Sequence, residues 1–207
     1  PPSNIDYENY QEPTTLSASN SFELIQLAVA DGDADTQNPP GAAGDIDGAA
    51  TVLSGLTIGV TNFQAVRRIA VFDDNNNVIQ DLPASSFANI VGNYATISFT
   101  GLNIVAPDDN IAPFNDNNFK MFRIRASFMN TSPAITDNIP VQLSLVSATL
   151  GGGSKFYDGP LPPSDPSYVP YIVGNQPSNV TAPATINLIE VTATSLDFTT
   201  QASTYAG

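Results

Sequence analysis

Apolar and polar residues alternate with a period of two along much of this chain, as in strands with one buried face and one exposed face. The clearest example runs from Phe119 to Phe128. Its two faces consist of Phe122, Ile124, Ala126 and Phe128 on the apolar side and Arg123, Arg125 and Ser127 on the polar side. Because no stretch shows a convincing period of 3.6, the pattern predicts strands rather than helices.

The same alternation recurs in other segments, separated by turn-rich stretches. These further strands are predicted at 25–29, 56–60, 68–72, 95–99, 141–145 and 189–191, and the segment 101–105 is predicted to continue the fourth of them after a kink. Strands spaced by turns of about ten residues are typical of antiparallel sandwiches. The sequence therefore predicts an all-β sandwich of seven or eight strands with long loops.

Two stretches depart from this rhythm. Residues 1–20 are polar and predict an extended N-terminal arm, and residues 151–184 are rich in proline, which removes donors from a strand ladder. The proline-rich stretch is either an ordered loop on one domain or an interdomain linker, and its aromatic residues favour the loop. We therefore expect a sandwich module over 21–193, and the start of a following module or a linker over 194–207. The first residues, Pro1-Pro2-Ser3, suggest a segment excised from a longer protein.

The amino-acid composition disfavours several classes of function, whereas it says little about the fold. The 207 residues carry 20 acidic and 6 basic side chains, a net charge of −14, and contain no Cys, His or Trp. The negative charge disfavours binding to nucleic acid or to an anionic membrane surface. No apolar run is long enough to span a bilayer. The missing residue types exclude thiol and imidazole chemistry, so we do not expect an enzyme.

An acidic stretch in a Gly/Pro-rich loop is the best candidate site. Its carboxylates are Asp31, Asp33, Asp35, Asp45 and Asp47. Clustered hard oxygen ligands are what Ca²⁺ prefers, although the spacing is not that of an EF-hand. The alternative is a solvated loop in which these residues cap turns. The sequence predicts Ca²⁺ as the one candidate cofactor.

Weaker acidic candidates follow later in the chain. Asp108, Asp109 and Asp116 flank one loop and form a possible second metal site, whereas the run Asp73-Asp74-Asn75-Asn76-Asn77 is explained by a hairpin tip. The basic residues at 67–68 and at 120–125 are expected to pair with Asp rather than to bind an anionic ligand.

Two kinds of carbohydrate function can be compared with the sequence, glycoside hydrolysis and sugar binding. A glycosidase needs two carboxyl groups in a cleft, and the four Glu residues show no such motif. Tyr157, Tyr168 and Tyr171 could instead form a platform on which a sugar stacks.

An ordered series of short segments carries a resemblance to a known group of proteins. The segments are Asp6-Tyr7, Tyr10-Gln11, Phe22-Glu23-Leu24, Val29-Ala30-Asp31-Gly32, residues 50–56, Val60-Thr61-Asn62, residues 68–73, residues 97–102, Ala106-Pro107-Asp108, residues 122–128, Thr136-Asp137-Asn138 and residues 189–198. The series resembles a repeat module of the very large surface proteins of Bacteroidota, which include gliding adhesins exported by type IX secretion. The segments 37–48 and 158–184 depart from that pattern.

The resemblance implies an immunoglobulin-like sandwich repeated in tandem, an extracellular location at the cell surface, and a role in adhesion or gliding motility. Its expected partners are neighbouring modules of the same chain and a surface polysaccharide or other surface ligand. Two alternatives stay open, a carbohydrate-binding module and a self-assembling fibre or virion subunit whose arm adds a strand to its neighbour.

Overall fold

The computed structural model describes residues 3–30, 50–107, 119–130, 134–151 and 187–191, and within these ranges the chain is built almost entirely of strands. Eleven are present: β1 (Ser3–Asp6), β2 (Phe22–Ala30), β3 (Thr51–Thr61), β4 (Val66–Asp73), β5 (Val78–Pro83), β6 (Ala88–Val91), β7 (Tyr94–Ala106), β8 (Phe119–Phe128), β9 (Ile139–Val141), β10 (Leu143–Gly151) and β11 (Asn187–Glu190). Single 3₁₀ turns occupy Tyr7–Asn9, Phe63–Ala65 and Ala84–Ser86.

Two four-stranded antiparallel sheets pack face to face. We call the sheet in the order β2-β8-β4-β5 the charged sheet, and the sheet in the order β10-β3-β7-β6 the neutral sheet. A third, three-stranded sheet has the order β1-β11-β9, in which β1 and β11 are parallel and β11 and β9 antiparallel. The predicted all-β sandwich is confirmed, with more strands than the alternation indicated.

The core lies between the charged and neutral sheets, where the alternating apolar side chains of both meet. Directly paired residues of antiparallel strands point to the same face, so Leu56 with Phe99 and Ile58 with Ile97 project inward together. Phe128 and Ile124 fill the opposite side from the charged sheet, and all of these side chains are buried. The predicted apolar face of β8 is therefore the core face.

The predicted kink between residues 99 and 101 is present inside a single strand, β7. Gly101 has a φ of 69°, a left-handed conformation that side chains other than glycine rarely adopt. The pairing with β3 shifts register at the same level, between Leu53 and Gly55. This bulge turns the inward-facing series so that Leu102 and Ile104 continue the core beyond Phe99.

One end of the sandwich gathers the ends of five strands, and we call it the loop pole. Ala30 pairs with Phe119 in the charged sheet, and Thr51 pairs with Ala106 in the neutral sheet, where Val52 also pairs with Gly151. Residues 62–65 join the far end of β3 to the start of β4, so the opposite ends of both sheets share the other pole. The segments 31–49 and 108–118 therefore leave from and return to the loop pole, and the segment 152–186 leaves from it.

Candidate functional site

The side chains that the sequence selected for metal or sugar binding lie outside the described residues. They are Asp31, Asp33, Asp35, Asp45 and Asp47, then Asp108, Asp109 and Asp116, and then Tyr157, Tyr168 and Tyr171. Both acidic sets belong to the segments that start and end at the loop pole. Among the residues that the structure does describe, no group of three or more carboxylates lies close enough to hold a metal ion.

The acidic run that starts at Asp73 forms the tip of the β4–β5 hairpin, as its sequence indicated. The Asp73 carboxylate accepts hydrogen bonds from the backbone N–H groups of Asn75 and Asn77, at 2.9 and 2.7 Å, and from the Asn77 side chain at 2.9 Å. Asn76 takes a left-handed conformation with a φ of 65°. Lys120 pairs with Asp74 at 2.8 Å. Both carboxylates therefore hold the hairpin together.

Hydrogen bonding makes this tip sensitive to pH. Partial burial raises the pKa of Asp73, but the hydrogen bonds from Asn77 and Asn75 and the charge of Lys120 outweigh it, so the pKa is lowered below 3.8. A carboxylate with a lowered folded-state pKa contributes stability above its unfolded pKa and loses it as the pH falls through the folded value.

We predict that Asp73→Asn lowers the free energy of unfolding by about 1 kcal/mol at pH 7, because the charged acceptor is lost. The difference from the wild type should shrink as the pH falls below about 4, because the unfolded wild-type chain then takes up a proton at Asp73, whereas the lowered pKa of the folded state resists this protonation. Urea unfolding at pH 7, 4 and 3 measures it. Asp74→Asn removes only an exposed ion pair and should lower the free energy of unfolding by about 0.3 kcal/mol. A difference that stays constant with pH would contradict this account.

The outer face of the charged sheet carries three arginines in ion pairs: Arg68 with Asp81 at 3.0 Å, Arg123 with Glu23 at 3.3 Å and Arg125 with Glu23 at 3.2 Å. A fourth pair, Lys120 with Asp74 at 2.8 Å, lies near the start of β8, where Lys120 has the same orientation along the strand as Phe122. The predicted pairing with Asp is confirmed for Arg68 and Lys120. The two arginines of β8 share Glu23 instead, since β2 places that residue directly opposite Arg125.

A stretch of the N-terminal segment, residues 10–18, crosses this outer face, and we call it the strap. Its backbone carbonyls accept hydrogen bonds from the sheet: Phe128 N to Tyr10 O at 2.7 Å, Arg67 Nη1 to Gln11 O at 3.0 Å, Ser127 Oγ to Glu12 O at 2.8 Å and Arg125 Nη2 to Ala18 O at 2.9 Å. In the other direction, the Leu16 N–H donates to Asp81 Oδ2 at 2.9 Å. The sheet thus binds the strap mainly through the strap's backbone.

One apolar side chain anchors the strap. Leu16 is 2% exposed and packs on Ala70 and Phe72, forming a small buried cluster separate from the main core. Strand β4 buries side chains on both faces, Ile69 and Val71 toward the core and Ala70 and Phe72 toward the strap. A strand that is apolar on both faces is one whose two faces are both covered.

Arg125 connects the strap, the following turn and the sheet. Its guanidinium donates to the Ser21 hydroxyl at 3.0 Å, to the Ser21 carbonyl at 2.5 Å and to the Ala18 carbonyl, and its Cζ atom lies 5.8 Å from the Phe72 ring centroid. Burial lowers the pKa of Arg125, while the charge of Glu23 acts against this shift. The planar fork of an arginine suits this set of acceptors, because its donors diverge in one plane.

The neutral sheet presents a different outer face. None of its four strands contains Asp, Glu, Lys or Arg, although the chain carries a net charge of −14. Many of its outward positions are small or hydroxyl-bearing: Gly55, Thr57, Gly59, Thr96, Ser98, Thr100, Ser144, Ser147 and Thr149. The sheet also exposes three apolar side chains, those of Ile90 and Val91 on the edge strand β6 and of Val105 near the end of β7. Thr57 and Ser98 are hydrogen-bonded to each other at 2.9 Å.

Among the described residues of this sheet, Tyr94 places its aromatic ring on the outer face. A Cβ atom at residue 59 would come within 2.1 Å of the Tyr94 hydroxyl and 2.6 Å of Ser144 Oγ, so the absence of a side chain at Gly59 lets the Tyr94 ring lie across the sheet. The result is an uncharged surface that combines hydroxyl groups and this ring with a few exposed apolar side chains.

Sequence reasoning did not identify the strap or the residues beneath it. The available signal was β4, whose residues 69–72 are all apolar while a strand with one exposed face would alternate. Leu16 was the corresponding signal in the arm, as an isolated large apolar residue in a polar stretch.

Comparisons with known proteins found no match among protein-family models, curated proteins or solved structures. Within the described ranges, no helix has the length and apolar character needed to cross a membrane.

Proposed function

We propose that this chain is a structural and adhesive module of a secreted bacterial surface filament or stalk, an immunoglobulin-like repeat acting at the cell surface without catalysis. The observation that carries the proposal is the loop pole. The sandwich supplies a rigid body, and the acidic segments leave from strand ends that are neighbours in the two sheets. A module that holds its variable segments at one end of a rigid scaffold is suited to contact a partner there.

Calcium is the proposed ligand of the acidic segments. Ala30, the last residue of β2, is directly paired with Phe119, the first residue of β8. The two acidic segments that contain Asp31 and residue 118 are therefore attached to neighbouring strand ends. Carboxylates brought near one another repel unless a cation neutralises them. Ca²⁺ bound in this region would stiffen the end of the module and fix its angle to a neighbour.

The neutral sheet supports the adhesive part of the proposal. Its hydroxyl-bearing face and the Tyr94 ring offer hydrogen bonds and a stacking surface to an uncharged polysaccharide. Such a surface does not repel anionic material as the rest of this acidic chain does. Affinity would then come from many copies of the module acting together.

The test is thermal unfolding in excess Ca²⁺ and in a chelator. A ligand at 100 times its dissociation constant stabilises the native state by about 2.7 kcal/mol. We expect the midpoint to rise by about 5–10 °C in a chain of this length. The rise should disappear in the double variant Asp33→Asn and Asp35→Asn. Glu8→Gln, which removes one exposed charge beside β1, is the matched control and should keep it. An unchanged wild-type midpoint would overturn the calcium part of the proposal.

A further inference from the structure

The outer face of the charged sheet contains a groove that recognises an extended peptide largely through its backbone. The groove consists of Arg67, Ala70, Phe72, Asp81, Arg125 and Ser127, and the strap occupies it. Three of the groove's side chains donate to strap carbonyls, and Asp81 accepts from a strap N–H. Only Leu16 adds a deeply buried side chain.

Charge contributes less to this recognition than the backbone contacts do. Residues 3–18 contain three carboxylates, those of Asp6, Glu8 and Glu12, and no basic side chain. The groove contributes Arg67 and Arg125, with Arg68 beside it, but Glu23 pairs with Arg125 and Asp81 pairs with Arg68. The hydrogen bonds to the strap carbonyls therefore carry the recognition.

The most buried side chain of the strap is separate from the main core. Its cluster with Ala70 and Phe72 is distinct from that core, so removal of Leu16 leaves the packing between the two sheets in place. Tyr10, at the start of the strap, packs against the main core, and its ring centroid lies 5.7 Å from that of Phe22. The segment's other fully buried anchor is Ile5 of β1, which enters the main core where β1 pairs with β11. A turn at residues 17–21 connects the strap to β2 and is closed by bonds from Ser17 N to Asn20 Oδ1 and from Ser21 Oγ to the Ser17 carbonyl. This turn is the natural hinge.

We propose that the groove accepts the strap of a second copy of this chain, so that two copies exchange residues 3–18. Every hydrogen bond between the sheet and the strap and both buried apolar anchors are reproduced between copies, because the exchanged segment is identical. Exchange gives up only the bonds that close the turn, which join Ser17 to Asn20, Asn20 to Thr15 and Ser21 to Ser17. Exchange therefore changes only the path of the hinge, which makes it an inexpensive route to an assembly. The inference does not depend on calcium, and its test contains none.

The test uses cross-linking between two full-length variants. The chain has no cysteine, so introduced thiols are the only ones that react. Leu16→Cys on one copy and Ala70→Cys on another are mixed at high concentration, incubated, and treated with a mild oxidant, which joins two thiols that are in contact as a disulfide. Neither variant holds both thiols, so a bridge between positions 16 and 70 forms only across two copies. The collision control replaces Ala70→Cys with Ser98→Cys, on the exposed face of the neutral sheet.

We expect at least a five-fold higher yield of mixed covalent dimer with Ala70→Cys than with Ser98→Cys, although position 70 is buried and position 98 is not. A chain with both Leu16→Cys and Ala70→Cys should give a bridged monomer when dilute. Equal yields from the two mixtures would overturn the proposal.

A hinge variant gives a second, independent result. Deleting residues 19–20 keeps the whole strap, including the Ala18 carbonyl that Arg125 binds, but leaves too short a connection for it to fold back onto its own groove. The chain should therefore become a dimer by light scattering. Replacing the same two residues with glycines keeps the length and should keep the monomer. A deletion variant that stays monomeric, or a dimer in which a cysteine at position 70 reacts freely, would contradict strap exchange.

Discussion

Replacing Arg125 with alanine is expected to lower the free energy of unfolding by about 3 kcal/mol, because partly buried acceptors lose a charged donor. The Ala18 carbonyl and the hydroxyl and carbonyl of Ser21 all accept from this one guanidinium, and Glu23 pairs with it. Denaturant unfolding followed by circular dichroism measures the change. The turn that leads into β2 should loosen together with the strap.

Two comparison variants separate the geometry of Arg125 from its charge. Arg125→Lys keeps the positive charge but has no planar fork, so it should recover less than half of the loss. Arg67→Ala removes a guanidinium that donates to one strap carbonyl and to Asn130, and should cost only about 1 kcal/mol. If Arg125→Ala cost no more than Arg67→Ala, the central role of Arg125 in holding the strap would be wrong.

The second large effect is expected in the core. Phe99→Ala should destabilise the protein by about 4 kcal/mol, because it removes a ring that is 1% exposed and leaves a cavity between the two sheets. Urea unfolding measures the loss. If the dependence of the unfolding free energy on urea concentration is the same as in the wild type, the loss comes from packing in the native state and not from a change in the unfolded state.

Phe119→Ala is the matched control, since it makes the same chemical change at the first residue of β8. Its side chain is 46% exposed, so the loss should stay within about 0.5 kcal/mol. Similar losses at the two positions would mean that the core does not lie between the charged and neutral sheets.

The strands that sequence reasoning identified well are those with one face in the core. Strand β8 runs from Phe119 to Phe128, as predicted, because Phe122, Ile124 and Phe128 must all be buried while Arg123 and Arg125 must not. Because one face of such a strand must be buried, its apolar and polar residues alternate, and this alternation allows the strand to be predicted from the sequence.

The strands that it missed are β1, β5 and β6. The single strand predicted at 141–145 was also wrong, because its residues are divided between β9 and β10, which belong to different sheets. Strands β5 and β6 lie at sheet edges, and all four residues of β6 are exposed, so nothing requires them to alternate. Strand β1 has only Ile5 as an apolar anchor and depends on β11, which lies far away in the sequence. Pairing of this kind is a tertiary effect that local pattern does not encode.

In the candidate site, too, some features could be predicted from the sequence and others could not. Composition indicated that the basic residues would be neutralised by carboxylates, but not that Glu23 would serve two arginines. The strap groove depends on backbone carbonyls, which every residue has, so no side-chain motif marks it. The acidic and tyrosine candidates lie outside the described residues and remain predictions.

The parallel pairing of β1 with β11 has a mechanical consequence for a protein under tension. Its four residue pairs run in register from Ser3 with Asn187 to Asp6 with Glu190. Tension applied to the start of β1 and to the end of β11 pulls the strands along their own axes in opposite directions. The ladder is then loaded in shear, so its hydrogen bonds must yield together and cannot be unzipped one at a time. A filament built from such units would concentrate its resistance to stretching in this short pair of strands.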